Sequence, residues 1–121
     1  MVRASDELGR YGEGLAVTHL ESLGLEVLQR NWRCRDGELD IVAREGSLLV
    51  VCEVKTRAGI GFGSPLEAVT PQKLRRLRIL AIKWIAENVA GWAGDVRIDV
   101  IGIVYPPGGE PTIEHVRDVV P

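Results

Sequence analysis

Histidine and cysteine are scarce in this chain of 121 residues, with two of each: His19, His115, Cys34 and Cys52. Their spacing matches no metal-ligand pattern, so no His/Cys zinc site is expected. A reduced, cytoplasmic setting is the simplest reading of the two cysteines. No apolar run approaches the roughly 20 residues that a membrane-spanning helix needs. The opening segment MVRASDELGR lacks the apolar core of a signal peptide. No membrane partner is therefore expected. An excess of positive charge is missing too, since 15 Lys and Arg stand against 17 Asp and Glu, for a net charge of −2. Nucleic-acid binders usually carry a basic surplus, so any such role must rest on local clusters. Two clusters stand out: Arg30, Arg33 and Arg35, and then Lys73, Arg75, Arg76, Arg78 and Lys83. Aromatic residues make up 5%. Core or rim packing is the expectation for Trp32, Trp84 and Trp92, rather than base stacking. There is no internal repeat or low-complexity segment, and the length suits one domain over residues 1–121.

The most informative stretch is GELDIVAREGSLLVVCEVKTR, Gly37 to Arg57. Leu39, Ile41 and Ala43 alternate with Glu38, Asp40, Val42 and Arg44. Further on, Leu49, Val51, Glu53 and Lys55 alternate with Val50, Cys52, Val54 and Thr56. Such period-2 runs predict two strands, and Gly46-Ser47 suits a two-residue hairpin turn. Pairing Glu45 with Leu48 sets Asp40 opposite Glu53 and Glu38 opposite Lys55. One face then carries Leu39, Ile41, Ala43, Val50, Cys52 and Val54, and the other Asp40, Glu53 and Lys55. Two facing carboxylates repel, and a divalent cation between them reverses that cost. Mg²⁺ prefers oxygen ligands and takes only one or two carboxylates. With Lys55 beside it to hold a phosphate or orient water, the set suits metal-assisted phosphodiester hydrolysis. The plainer alternative is a surface hairpin with cross-strand Glu–Lys pairs and nothing bound.

Around the hairpin, residues 5–23 predict a helix with Ser5 as N-cap, Asp6 and Glu7 in the first turn and Gly24 as the stop. Gly9, Gly12, Ala16, Leu20 and Leu23 form its apolar stripe, and Glu13 falls on it. That carboxylate either pairs with Arg33 or Arg57, or leans over the hairpin to join Asp40 and Glu53. A strand is expected from Leu25 to Trp32. Gly59, Gly61 and Gly63 mark either a connector or a mobile loop beside the site. Thr70-Pro71 starts a second helix that runs to about Asn88. Leu74, Leu77, Leu80, Ala81, Trp84 and Ile85 make its buried face. Ile79 and Ile82 lie off it, as ordinary exposed residues or as a homodimer contact. Arg76 and Lys83 share its polar face, to meet phosphates or simply to be solvated. Val96 to Tyr105 reads as a central strand in which Asp99 needs a structural partner. Residues 112–117 read as a returning edge strand with His115 on the surface.

This order of elements, with the hairpin, resembles the PD-(D/E)xK nuclease superfamily and its restriction-endonuclease-like fold. More closely, LGRYGEGLAVTHL, GELDIVAREGSLLVVCEVKTR, EAVTPQKLRRL and VRIDVIGI resemble the YraN-type family of small bacterial proteins, itself similar to archaeal Holliday junction resolvases. The resemblance covers nearly the whole chain. It implies an α/β restriction-endonuclease-like domain of order α-β-β-β-α-β-β, a mixed central sheet with helices on its faces. It places Asp40 at the first acidic position, Glu53-Val54-Lys55 at E-x-K, and Glu13 at the resolvases' helix glutamate. The Val54 carbonyl is then a further metal ligand. Leu39 stands where the superfamily motif has proline. The implied activity is a Mg²⁺- or Mn²⁺-dependent endonuclease acting on branched or single-stranded DNA. Glu13, Asp40 and Glu53 would hold the metal, and Lys55 would position water. Arg33, Arg35, Arg57, Lys73 and Arg76 would hold the strand. The alternative is a binding module for nucleic acid or protein, without turnover.

Overall fold

The computed structural model describes residues 4–59 and 65–120. The first helix already includes residue 5, so it begins ahead of the expected cap Ser5; the side chains of Ser5 and Asp6, and Gly61 and Gly63 of the glycine run, lie outside the described residues. The elements in chain order are α1 (Ala4–Ser22), β1 (Glu26–Cys34), β2 (Gly37–Glu45), β3 (Leu48–Arg57), a short 3₁₀ turn (Pro65–Ala68), α2 (Pro71–Asn88), β4 (Asp95–Val104) and β5 (Thr112–Val116). The five strands form one sheet in the order β1-β2-β3-β4-β5. β3 and β4 are parallel, and the other neighbours are antiparallel. Parallel neighbours need a crossover connection, which α2 supplies. This is the mixed-sheet α/β architecture expected of a restriction-endonuclease-like domain.

The sheet buries both faces. Alternation along β3 sends Leu49 and Val51 to one side and Val50 and Cys52 to the other. On the first side, Val42, Ile98 and Val100 join them against Leu74, Leu77, Leu80, Ala81 and Trp84 of α2. On the second, Ile41, Ala43, Ile101 and Ile103 pack against Ala16 and Leu20 of α1. Thr70 caps α2 as expected: its Oγ1 accepts from Lys73 N at 3.1 Å, and Pro71 opens the helix. The tryptophans serve packing. Trp32 and Trp84 are buried, Trp84 Nε1 donates to Gln29 Oε1 at 2.7 Å, and Trp92 lies under the Arg44 guanidinium.

Helix α1 sits close to the sheet because Gly12 has no side chain. A methyl group there would overlap the Thr56 side chain. Gly12→Ala should therefore cost about 1–3 kcal/mol through overpacking, partly offset by alanine's better helix propensity. Urea unfolding measures this, and adding Thr56→Ala should recover most of the loss. Leu23, expected on the same stripe, is instead 39% exposed. It lies beyond the end of α1, where Gly24 takes a positive φ of 92° and turns the chain away.

Asp99 finds the structural partners its burial demands. It is 0% exposed on β4. Arg97 Nε and Nη2 reach its two oxygens at 2.8 and 3.0 Å, and Asp118 N donates to Oδ1 at 3.0 Å. His115 Nε2 lies 2.8 Å from Oδ2. His115 is thus not the surface residue its place on an edge strand implied, since its side chain is only 8% exposed. Its ladder partner Ile101 belongs to the α1-side core, so the imidazole turns inward with it. Its other nitrogen, Nδ1, is 3.0 Å from His19 Nε2 in the last turn of α1. Burial, then His115 and Arg117, hold His19 below its ordinary imidazole value.

Candidate functional site

The hairpin register is the one the turn predicts, with Glu45 paired to Leu48 and Ile41 to Cys52. Continued one step, it sets Asp40 beside Glu53. The regular ladder stops there. The next hydrogen-bonded rung would join Leu39 to Val54, yet Val54 N donates to Asp40 Oδ2 at 2.9 Å. A side chain has replaced a backbone acceptor, and β2 departs from β3 at this point. Leu39 leaves with it. Instead of lying with Ile41 on the α1 side, it joins the α2-side core beside its other partner, Trp32. The β1 residue facing Asp40 in that register is Asn31, which has a positive φ of 52°. The expected Glu38–Lys55 pair does not form for the same reason; Glu38 Oε2 binds Arg33 Nε at 3.0 Å.

The opening creates a cleft of about 560 Å³ between the hairpin and the first turns of α2. Asp40, Glu53, Val54 and Lys55 line the sheet side, Lys73 and Arg76 the helix side, and Arg35 the rim. Glu53 is buried, 6% exposed. It accepts from Lys73 Nζ at 2.9 Å, an ion pair that links β3 to the crossover helix.

The charges in this cleft are coupled. Burial, and then the hydrogen bond shared with Glu53, push the Asp40 carboxyl up to about 8. Burial also acts to raise Glu53, but the hydrogen bonds from Asp40 and Lys73 overcome it and hold Glu53 below its ordinary value. The two carboxylates thus oppose each other's ionisation, and Asp40 is the one pushed upward. Burial and the neighbouring Lys73 lower Lys55. Burial acts the same way on Lys73, but its bonds to Glu53 and Lys55 outweigh it and raise the value. Lys55 is therefore the more easily neutralised of the two ammonium groups.

Glu13 stands at the margin. Among the described residues, no three His, Cys, Asp or Glu side chains converge closely enough to hold a metal. Neither Arg33 nor Arg57 takes it as an ion-pair partner, since Arg33 goes to Glu38. Against the opposing pull of Arg30 and Asn31, burial dominates and raises the pKa of Glu13. Its Oε1 is buried with no hydrogen-bond partner. Its charge still reaches Asp40 and adds to the upward push there.

Asp40 and Glu53 offer the hard oxygen donors that a divalent cation such as Mg²⁺ takes. The two carboxylates disfavour each other's ionisation, a cost that a cation between them would reverse, and a third acid nearby has an oxygen without a partner. In an extended strand the N–H and C=O of one residue point the same way, so the Val54 carbonyl faces the gap that its N–H does. A few oxygen ligands in a cleft with room for water match the coordination habits of Mg²⁺.

The basic residues divide. Arg35, Lys73 and Arg76 flank the carboxylates. Arg33 is neutralised by Glu38 on a neighbouring groove. Arg57 does not line the cleft; its carbonyl bonds Tyr105 N at the end of β3. Lys83 pairs with Asp36. The part sequence reasoning missed is Lys73 as the counter-ion of Glu53. The only available signal was its place in the first turn of a capped helix that follows the acidic hairpin.

Fold and cleft together define a small α/β protein of restriction-endonuclease-like architecture, with two carboxylates and two lysines at one break in the sheet. Residues 12–103 match the family described as "Uncharacterised protein family UPF0102", and the chain belongs to that family. This is the YraN-type family its sequence resembles. It is 55% identical to the UPF0102 protein of Acidothermus cellulolyticus, covering 94% of this chain and 93% of that one. Against the UPF0102 protein of Kineococcus radiotolerans the identity is 52%, covering 98% and 97%. The Streptomyces coelicolor relative is 53% identical, covering 98% and 92%. The family match begins at Gly12, the residue on which α1 closes against Thr56, and ends within β4.

Proposed function

We propose that this protein is a Mg²⁺- or Mn²⁺-dependent endonuclease that hydrolyses phosphodiester bonds in DNA, branched or single-stranded. The observation that carries the reading is the Asp40–Glu53 pair, held at a deliberate break in the ladder and flanked by Lys55 and Lys73. Asp40 and Glu53, with the Val54 carbonyl and Glu13 at the margin, would hold the cation. When bound, it supplies Lewis acidity to the scissile phosphate and lowers the pKa of bound water. Val54 N–H fixes the Asp40 carboxylate through Oδ2. Lys73 Nζ fixes Glu53 through Oε2. Lys55, the more readily neutralised lysine, orients the attacking water and can take up its proton at Nζ. Arg35 and Arg76 on the cleft wall hold flanking phosphates, as guanidinium groups do well.

The test is cleavage of linear, flap and four-way DNA by the purified full chain with Mg²⁺ or Mn²⁺. Activity should require the metal. Glu53→Gln should lower it by roughly 100-fold or more, the loss seen when a group stabilising transition-state charge is removed. No metal-dependent cutting, or equal cutting by the variant, rejects the reading.

One observation favours a second reading, a non-catalytic adaptor on the same fold. Several basic side chains are already engaged within the chain, Arg33 by Glu38, Lys73 by Glu53 and Lys83 by Asp36, and the net charge is −2. An adaptor for DNA would bind without turnover and lose affinity steeply with salt. A protein adaptor would show neither property. Ile79 and Ile82, 56% and 67% exposed on α2, then offer an apolar contact for a second copy or another protein.

A further inference from the structure

A second cluster of ligating side chains lies on the opposite face of the sheet from the carboxylate cleft. Asp99 neighbours Cys52 on the α1 side, whereas Glu53 points to the α2 side. There His19 and His115, 96 residues apart in sequence, bring Nε2 and Nδ1 to 3.0 Å. We propose that these two imidazoles form a binding site for a borderline-soft divalent transition-metal ion, of which Zn²⁺ is the representative.

Three features of the geometry support it. First, the nitrogen separation is close to the edge of a tetrahedron around a metal at 2.0–2.1 Å, on the order of 3.3 Å. The rings meet edge-on at 72° with centroids 5.1 Å apart and do not stack. Second, the tautomer of His115 is set from behind. His115 Nε2–H donates to Asp99 Oδ2 at 2.8 Å, which leaves the Nδ1 lone pair facing His19. A carboxylate behind a ligating imidazole is the usual outer-shell arrangement of a metal-bound histidine. Asp99 is itself fixed, by Arg97 through two bonds and by Asp118 N–H. Third, His19 lies in the last turn of α1, where the helix dipole favours positive charge. Arg117 opposes a cation there, and the charge of Arg97 is balanced by Asp99.

Without metal, one proton joins the two rings: His19 Nε2–H donates to His115 Nδ1. With metal, His19 carries its proton on Nδ1 through solvent exchange, and both facing lone pairs bind the ion. No proton is lost and no electron moves. Among the described residues no third side chain completes the set, so water would fill the remaining positions. Imidazole ligands suit Zn²⁺, Cu²⁺ and Ni²⁺ and not Mg²⁺, which separates this site from the cleft. Such an ion would cross-link the end of α1 to the edge strand β5.

The experiment is calorimetric titration of the full chain with Zn²⁺, with imidazole ¹⁵N spectra of the same samples. One equivalent should bind to wild type and shift the nitrogens of both His19 and His115. His19→Ala, a change at a half-exposed residue, should weaken binding at least about tenfold. Glu53→Gln and Cys34→Ser should leave it unchanged, since they alter the cleft and the other accessible soft ligand. No Zn²⁺ binding, binding that survives His19→Ala, or binding lost in Glu53→Gln or Cys34→Ser overturns the proposal. None of these outcomes depends on DNA cleavage.

Discussion

Asp99→Ala should destabilise the protein by about 3–5 kcal/mol, the cost of removing one partner of a buried ion pair. The carboxylate is wholly buried and serves three donors. Its loss leaves the Arg97 guanidinium, the His115 imidazole and the Asp118 N–H without an acceptor. For a chain of this length the melting temperature should fall on the order of 10–20 °C. The acid response gives an independent check. Burial pushes the Asp99 carboxyl up, but Arg97, Asp118 N–H and His115 together outweigh it and hold it below its ordinary 3.8. A depressed carboxylate stabilises the fold above its unfolded pKa and stops doing so as pH falls through the folded value. The gap between wild type and Asp99→Ala should therefore be full at pH 6 and narrow below pH 4. A gap of under 1 kcal/mol at pH 6, measured by urea unfolding, would show that the three donors find other acceptors.

Asp40→Asn should have the opposite effect on stability while removing the proposed activity. The wild-type carboxyl is pushed up to about 8 by burial and by Glu53. A raised carboxyl contributes its stability in full below the unfolded value and loses it as pH rises through the folded one. Wild type should therefore melt at progressively lower temperature from pH 5 to pH 9. Asparagine relieves this. Its Oδ1 can accept from Val54 N, and its amide can donate to ionised Glu53, so both bonds persist without the second charge. At pH 9 the gain should be roughly 1–3 kcal/mol, the usual size of an uncompensated buried polar group, and the variant's melting temperature should change little with pH. Divalent ions supply the complementary test. Mn²⁺ at 100 times its dissociation constant should stabilise wild type by about 2.7 kcal/mol and leave Asp40→Asn almost unmoved. If asparagine destabilises the fold at pH 9, the carboxylate pair is not the liability its burial implies.

How much of this was legible beforehand follows from sequence distance. The Gly46-Ser47 turn fixed the hairpin register because it is a local geometric signal, and with it the nearness of Asp40 to Glu53. Thr70-Pro71 located the start of α2 for the same reason. Asp99 declared its need for partners by interrupting an apolar strand. The partners themselves were not readable. Lys73 reaches Glu53 only because α2 crosses over that side of the sheet, and His115 meets His19 only through the packing of an edge strand beside α1. Alternation also misassigned Leu39, since a period of two assumes an unbroken ladder and β2 leaves β3 at Asp40. Glu38 went to Arg33 instead of Lys55 for that same reason. Helical spacing likewise placed Leu23 on the buried stripe, although the helix stops just before it.

The crossover has a temporal side. Strands β2 and β3 are joined by two residues, and such hairpins close within about 1–10 μs. Leu48 pairs with Asp95, far along the chain, only after α2 has been laid down between them. Contacts across that much chain form late. The two acids should therefore approach each other earlier in folding than the lysine that neutralises one of them, because that lysine comes only with the crossover helix.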